Sequence, residues 1–136
     1  GMWAAVGGHM EPGELGRPRE AVLREIYEET GFAEADIGDL TLRYILLRNN
    51  GAELRQQYFY SGNALRKNFA DTDEGELHWI PLERVFDRDI PFVYRVMLEH
   101  YFRVGPGTHP WVGIATADAE TGRPRIDWVP LSETNY

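Results

Sequence analysis

Apolar side chains recur at three- and four-residue spacing along residues 18–30, as they do on one side of a helix. Pro18 suits the first turn of such a helix, and Gly31 suits the position just after its last turn. At about 100° per residue, the apolar side of the wheel holds Val22, Leu23, Ile26, Tyr27 and Thr30. The pattern predicts a helix from Pro18 to Thr30, and the glycines of residues 1–17 predict a loop before it.

The rest of the chain alternates in the manner of strands, with one more helical stretch. In chain order the predicted elements are strands at 40–48, 54–61 and 77–80, a helix at 91–103, and a hairpin with strands at Trp111–Ala117 and 125–131. The turn residues Asn50 and Gly51 favour a tight hairpin between the first two strands. Strands interleaved with two helices predict an α/β or α+β fold.

Length and charge limit the classes of function. A chain of 136 residues suits one compact domain, and a net charge of −8 argues against binding of a nucleic-acid polymer. No apolar run approaches the roughly 20 residues that span a bilayer, so we expect no membrane partner. The chain has no cysteine, which excludes thiolate catalysis and agrees with a cytoplasmic location.

The first predicted helix carries the residues best suited to chemistry. Glu25, Glu28 and Glu29 are spaced so that their carboxylates are expected to converge on one patch. Like charges at this spacing cost about 0.2–0.5 kcal/mol per pair, and a bound Mg²⁺ would reverse that balance. Arg24 lies one turn before Glu28 and is expected to restrain it. Taken alone, such a pattern is also typical of a solvated helix face.

The surroundings of this helix resemble the Nudix box. The matching residues are Gly8, Glu14, Arg24, Glu25, Glu28, Glu29, Gly31 and Phe32. Every specified position from 24 to 32 matches, whereas nine residues rather than seven separate Glu14 from Arg24. The similarity covers roughly residues 3–103, with the box at 8–32, and it predicts a single Nudix-like domain over residues 1–136.

The resemblance implies an α/β/α sandwich on a mixed sheet that hydrolyses a pyrophosphate linkage in a nucleoside diphosphate derivative. It implies Mg²⁺ or Mn²⁺ held by Glu25, Glu28, Glu29 and the Gly8 carbonyl. Arg24, Glu25 and Glu28 would be catalytic, and Gly8, His9 and Glu14 would contact the substrate. Glu25, Glu74 or Glu76 would be the base. A nucleoside triphosphate or an oxidised nucleotide is the expected substrate, and a catalytically silent nucleotide-binding module is the alternative.

The short stretch before the box departs from the family pattern. Nudix members place several strands there, whereas about six residues precede the box here. Either the start is truncated, or the hairpin within residues 105–136 fills the vacant place, by circular permutation or by strand exchange in a homodimer. We expect the second, with the hairpin paired beside residues 3–6.

Overall fold

The computed structural model describes residues 2–7, 16–49, 54–65, 77–78 and 92–134. A short 3₁₀ helix at Glu34–Asp36 precedes the second strand. The other elements are β1 (Met2–Gly7), α1 (Pro18–Thr30), β2 (Ile37–Asn49), β3 (Leu54–Ala64), β4 (Leu77–His78), α2 (Phe92–Val104), β5 (Trp111–Ala117) and β6 (Pro124–Pro130).

The six strands form one mixed sheet in the order β4-β1-β3-β2-β5-β6. β2 and β5 run parallel, and every other neighbouring pair in the sheet is antiparallel. β2 and β5 are joined through β3, β4 and α2 and not by a tight turn, as a parallel pair requires. The mixed sheet that the sequence predicted is confirmed.

In the described part of the chain, α1 packs on one face of the sheet and α2 on the other. Neighbouring residues of β1 show this directly, since Trp3 and Ala4 are both buried and point to opposite faces. The α1-side cluster consists of Ala4, Ala21, Val22, Ile26, Phe32 and Tyr60. The α2-side cluster consists of Trp3, Tyr44, Leu46, Phe59, Met97 and Leu98. The expected α/β/α sandwich is therefore confirmed.

Helix α1 has the predicted bounds. Pro18 occupies its first turn, and Gly31 ends it at φ 78°, a left-handed conformation that glycine adopts without strain. The Gly31 N–H donates to the Tyr27 carbonyl at 2.8 Å. The predicted apolar side was wrong at one position, because Tyr27 is 61% exposed while Ala21, Val22 and Ile26 are buried. The helix is rotated on the sheet so that the smaller Ala21 faces inward instead.

A bulge in β2 allows Leu42 and Tyr44 of the same strand to pack on opposite faces of the sheet. Leu42 pairs with Tyr60 and packs on the α1 side, whereas Tyr44 pairs with Phe59 and packs on the α2 side. Residues 42 and 44 would share a face in a regular strand. Arg43 is the extra residue that shifts the register, as a bulge requires.

Two predictions about the sheet need correction. Residues 2–7, expected to be loop, form β1 and pair with all of Gln57–Gly62 of β3, so tertiary pairing overrides the local glycine signal. The hairpin joins the sheet as expected, but β5 pairs with β2 and not with β1. Gly113 lies in β5 where an added Cβ would lie 2.6 Å from both Leu46 and Trp128, so the glycine allows those two side chains to pack over β5.

Among the described residues, no helix is both long and apolar enough to cross a membrane. The division of the chain into domains stays a prediction.

Candidate active site on helix α1

The three box glutamates all lie on α1, but they differ in exposure. The Glu25 side chain is 25% exposed and the Glu28 side chain 56%. Glu29 is exposed as well. At about 100° per residue, Glu25 lies beside the buried row of Val22 and Ile26, while Glu28 lies further round the helix. One carboxylate is thus partly shielded from water and another faces it.

Arg24 lies between two of these acids. Its Nη1 donates to both oxygens of Glu28, at 3.1 Å to Oε1 and 3.0 Å to Oε2. Its Nη2 is 3.5 Å from Oε1 of Glu25. The guanidinium therefore offsets the repulsion between two like charges on one helix, and it fixes the Glu28 carboxylate in one orientation. The predicted contact between Arg24 and Glu28 is confirmed.

The predicted convergence of the three carboxylates does not produce a ligand cluster here. Within the described part of the chain, no group of three or more His, Asp or Glu side chains is placed so that it could hold a metal ion. Glu25, Glu28 and Glu29 spread over about 100° of the helix wheel, and the ion pair with Arg24 draws Glu28 to one side. The donors themselves still fit a hard divalent cation, which takes carboxylate oxygens.

The end of α1 is held by contacts that fix the helix on the sheet. The Thr30 hydroxyl donates to the Ile26 carbonyl at 2.6 Å, and the Phe32 N–H donates to the Thr30 hydroxyl at 3.1 Å. Phe32 is buried in the α1-side cluster. An exposed ion pair of 2.9 Å joins Arg19 to Glu34 beyond the helix. These contacts position the acidic side of α1 without using any of the three glutamates.

Several predicted site residues lie outside the described residues. They are Gly8, His9, Glu14, Glu74 and Glu76. The backbone carbonyl assigned to the metal, the substrate contacts and two of the three candidate bases therefore stay predictions.

The model of the NUDIX domain matches residues 1–101, about three quarters of the chain. The chain belongs to the Nudix family. A comparison with solved structures found no significant match.

Membership gives the coarse chemistry. Nudix proteins are in general pyrophosphohydrolases of nucleoside diphosphate derivatives and typically use divalent metals. The match covers β1 through most of α2 and ends before β5 and β6. Helix α1 with its three glutamates therefore lies inside the matched region, whereas the terminal hairpin lies outside it.

Sequence reasoning missed a polar arrangement on the opposite face of the sheet. The Arg43 Nε donates to the Ser61 hydroxyl at 2.9 Å, and its guanidinium carbon lies 5.9 Å from the centre of the Tyr101 ring. Arg43, Tyr101, Gly107 and His109 line a small crevice there. The bulge in β2 directs the Arg43 side chain into this crevice. The alternation of apolar and polar residues does not reveal a bulge, so the sequence did not predict this arrangement.

Proposed function

We propose that this Nudix protein hydrolyses a pyrophosphate linkage in a nucleoside diphosphate derivative, with Mg²⁺, or Mn²⁺ in its place, as the required cation. The observation that supports this most is the Arg24 contact with both oxygens of Glu28, made while Glu25 lies 3.5 Å from the same guanidinium. An arginine that holds two acids of a helix in defined positions pre-organises ligands for a hard cation.

Each residue of the helix has a proposed part. Glu25, Glu28 and Glu29 would hold the cation together with the Gly8 carbonyl. Arg24 would act through the acids, since it restrains Glu28 and screens Glu25. When bound, Mg²⁺ would neutralise charge on the phosphates and activate a water. Glu25 is the proposed base, because it is the more shielded of the two acids beside Arg24.

The proposed substrate is a small phosphorylated molecule, either a nucleoside triphosphate or an oxidised nucleotide. A net charge of −8 disfavours a polyanionic polymer, whereas a small nucleotide needs only a local cation. Gly8, His9 and Glu14 are the proposed substrate contacts.

The test is a panel of nucleoside triphosphates, oxidised nucleotides, nucleotide sugars and dinucleoside polyphosphates, each assayed with and without Mg²⁺. We expect turnover of at least one class only when the cation is present. Glu28→Gln keeps the size of the side chain and removes its charge, so it should lower kcat/KM by more than the roughly 10–100-fold typical of an outer-shell partner.

Glu20→Gln is the matched control, since Glu20 is an exposed glutamate on the same helix that pairs with Arg17 at 3.5 Å. It should retain the activity of the natural protein. Equal activity of Glu28→Gln and the natural protein would contradict the proposed metal site. Nucleotide binding without turnover of any compound would favour the nucleotide-binding module instead.

A further inference from the structure

Strand β6 lies at the end of the sheet order formed by the described strands. It pairs with β5 through seven consecutive residues, from Trp111 opposite Pro130 to Ala117 opposite Pro124. The helix that carries the candidate site packs near the other end of the sheet, against β1 and β4. The outer edge of β6 is therefore remote from that site in the sheet order.

The ladder between β5 and β6 shows which backbone groups point outward. The Leu131 N–H donates to the Pro110 carbonyl at 2.9 Å, and the Asp118 N–H donates to the Arg123 carbonyl at 2.8 Å. Hydrogen-bonded pairs alternate along an antiparallel ladder, so odd-numbered residues of β6 bond to β5. The N–H groups of Ile126 and Trp128 consequently point away from the sheet. Pro124 and Pro130 share this outward parity and have no N–H to offer.

The side chains on this edge carry opposite charges. Arg125 and Asp127 lie on one face of β6 and form an exposed ion pair of 2.7 Å. Ile126 and Trp128 point to the other face, where they pack against the α2-side cluster. The outer edge thus offers two outward donors and, alongside them, one cation and one anion two residues apart.

We propose that the edge of β6 binds a second copy of this chain, antiparallel and about a twofold axis at Ile126. In this register Arg125 lies opposite Asp127 of the partner subunit, and Asp127 lies opposite the partner's Arg125. The two Ile126 N–H groups bond to each other's carbonyl, and each Trp128 N–H bonds to the carbonyl of the partner's Pro124. All four outward N–H groups of the two edges are then used.

Charge selects this register over its neighbour. A shift of the twofold axis to residue 127 keeps the hydrogen bonds but places Asp127 opposite Asp127 of the partner subunit, and like charges directly opposite are destabilising. The two prolines then limit the pairing to one short segment, since they offer no further donors. A twofold pairing uses both edges and closes, so it produces a dimer and no fibre.

The test is sedimentation equilibrium of the full chain over a concentration series. We expect a weak dimer that dissociates on dilution, as the short edge implies. Arg125→Asp and Asp127→Arg each replace two attractive contacts by two repulsive ones, and each should weaken association about tenfold or more. Arg17→Asp is the control for Arg125→Asp, because it makes the same charge change at an exposed residue just before α1.

Two further samples separate the proposed register from a general effect of charge or folding. The double variant Arg125→Asp with Asp127→Arg restores both attractive pairs and should dimerise like the natural chain. An equimolar mixture of the two single variants should form a heterodimer for the same reason. A natural chain that stays monomeric to about 1 mM overturns the proposal. The proposal is also overturned if Arg125→Asp and Asp127→Arg associate as strongly as the natural chain. None of these readouts depends on the proposed hydrolase activity.

Discussion

The two faces of the sheet bury different kinds of side chain. The α1 face buries Val22, Ile26 and Phe32 against β1 and β3, and its contacts are almost entirely apolar. The α2 face is rich in aromatic rings and encloses a polar pair, the Tyr44 hydroxyl and His100 Nδ1, 2.8 Å apart. His100 is 4% exposed and lies within 5.6 Å, between ring centres, of Tyr44, Trp111 and Trp128.

This difference has consequences for how strictly each face constrains the positions of its side chains. Apolar packing is non-directional, so it can fix α1 on the sheet while Glu28 and Glu29 on the same helix stay exposed. A polar pair inside an aromatic cluster needs one defined geometry, because either partner alone would be left buried without a hydrogen bond. The packing of the α1 face is therefore compatible with charged side chains on the same helix. The polar pair of the α2 face instead requires one defined arrangement of the sheet, α2 and the hairpin.

The largest effect is expected on the α1 face. Ile26→Ala removes a fully buried side chain and should destabilise the protein by about 2–5 kcal/mol in urea unfolding. Tyr27→Ala, on the next residue, should change stability by less than about 0.5 kcal/mol, because Tyr27 is exposed. Equal losses at the two positions would show that α1 packs in the orientation suggested by the sequence wheel.

The fit of the hairpin to the α2 face is tested at Gly113. Gly113→Ala places a methyl group 2.6 Å from Leu46 Cδ2 and Trp128 Cζ3, and overpacking of this kind should cost about 1–3 kcal/mol. Gly107→Ala is the control, since its nearest contact would be the His109 carbonyl at 4.0 Å. A Gly113→Ala protein as stable as the control would mean that the hairpin does not close over β5 in this way.

Features that act over a few residues of the sequence predicted much of this fold. Pro18 and Gly31 set the ends of α1, and both act within a few residues of themselves. The strands β2 and β3 were predicted from their apolar runs, although each extends three residues beyond the predicted segment at one end. The contact of Arg24 with Glu28 also follows from helix geometry alone.

The remaining features depend on partners distant in the chain. β1 exists because its six residues pair with β3, from Met2 opposite Gly62 to Gly7 opposite Gln57, far along the chain. The packing of Leu46 and Trp128 around Gly113 brings together β2, β5 and β6, and the periodicity of the sequence does not encode it. Likewise, His100 gives no sequence signal of its partner, because Tyr44 lies 56 residues away.

The polar pair of the α2 face can be broken without changing its volume. Tyr44→Phe removes the hydroxyl and leaves His100 Nδ1 buried without that bond, so we expect a loss of about 1–2 kcal/mol in urea unfolding. Tyr58→Phe is the control, because its hydroxyl bonds to Gln56 at an exposed position. A loss no larger than the control's would mean that the buried pair contributes nothing specific to the α2 face.

The smallest effect is a dependence on pH that only the α2 face should produce. Burial, with a lesser contribution from Arg103, lowers the pKa of His100 below its ordinary value of 6.5. Between pH 6.5 and the lowered pKa of the folded protein, His100 binds a proton in the unfolded chain but not in the folded protein. The free energy of unfolding therefore falls as the pH drops through this range, and it levels off below the folded pKa. The slope from this one group is at most about 1.4 kcal/mol per pH unit. His100→Phe keeps an aromatic ring in the cluster and removes the titration, so the slope between pH 6.5 and 5 should shrink by the share that His100 supplies. An unchanged slope would assign the acid sensitivity to groups outside this cluster, and the contrast between the two faces would then rest on packing alone.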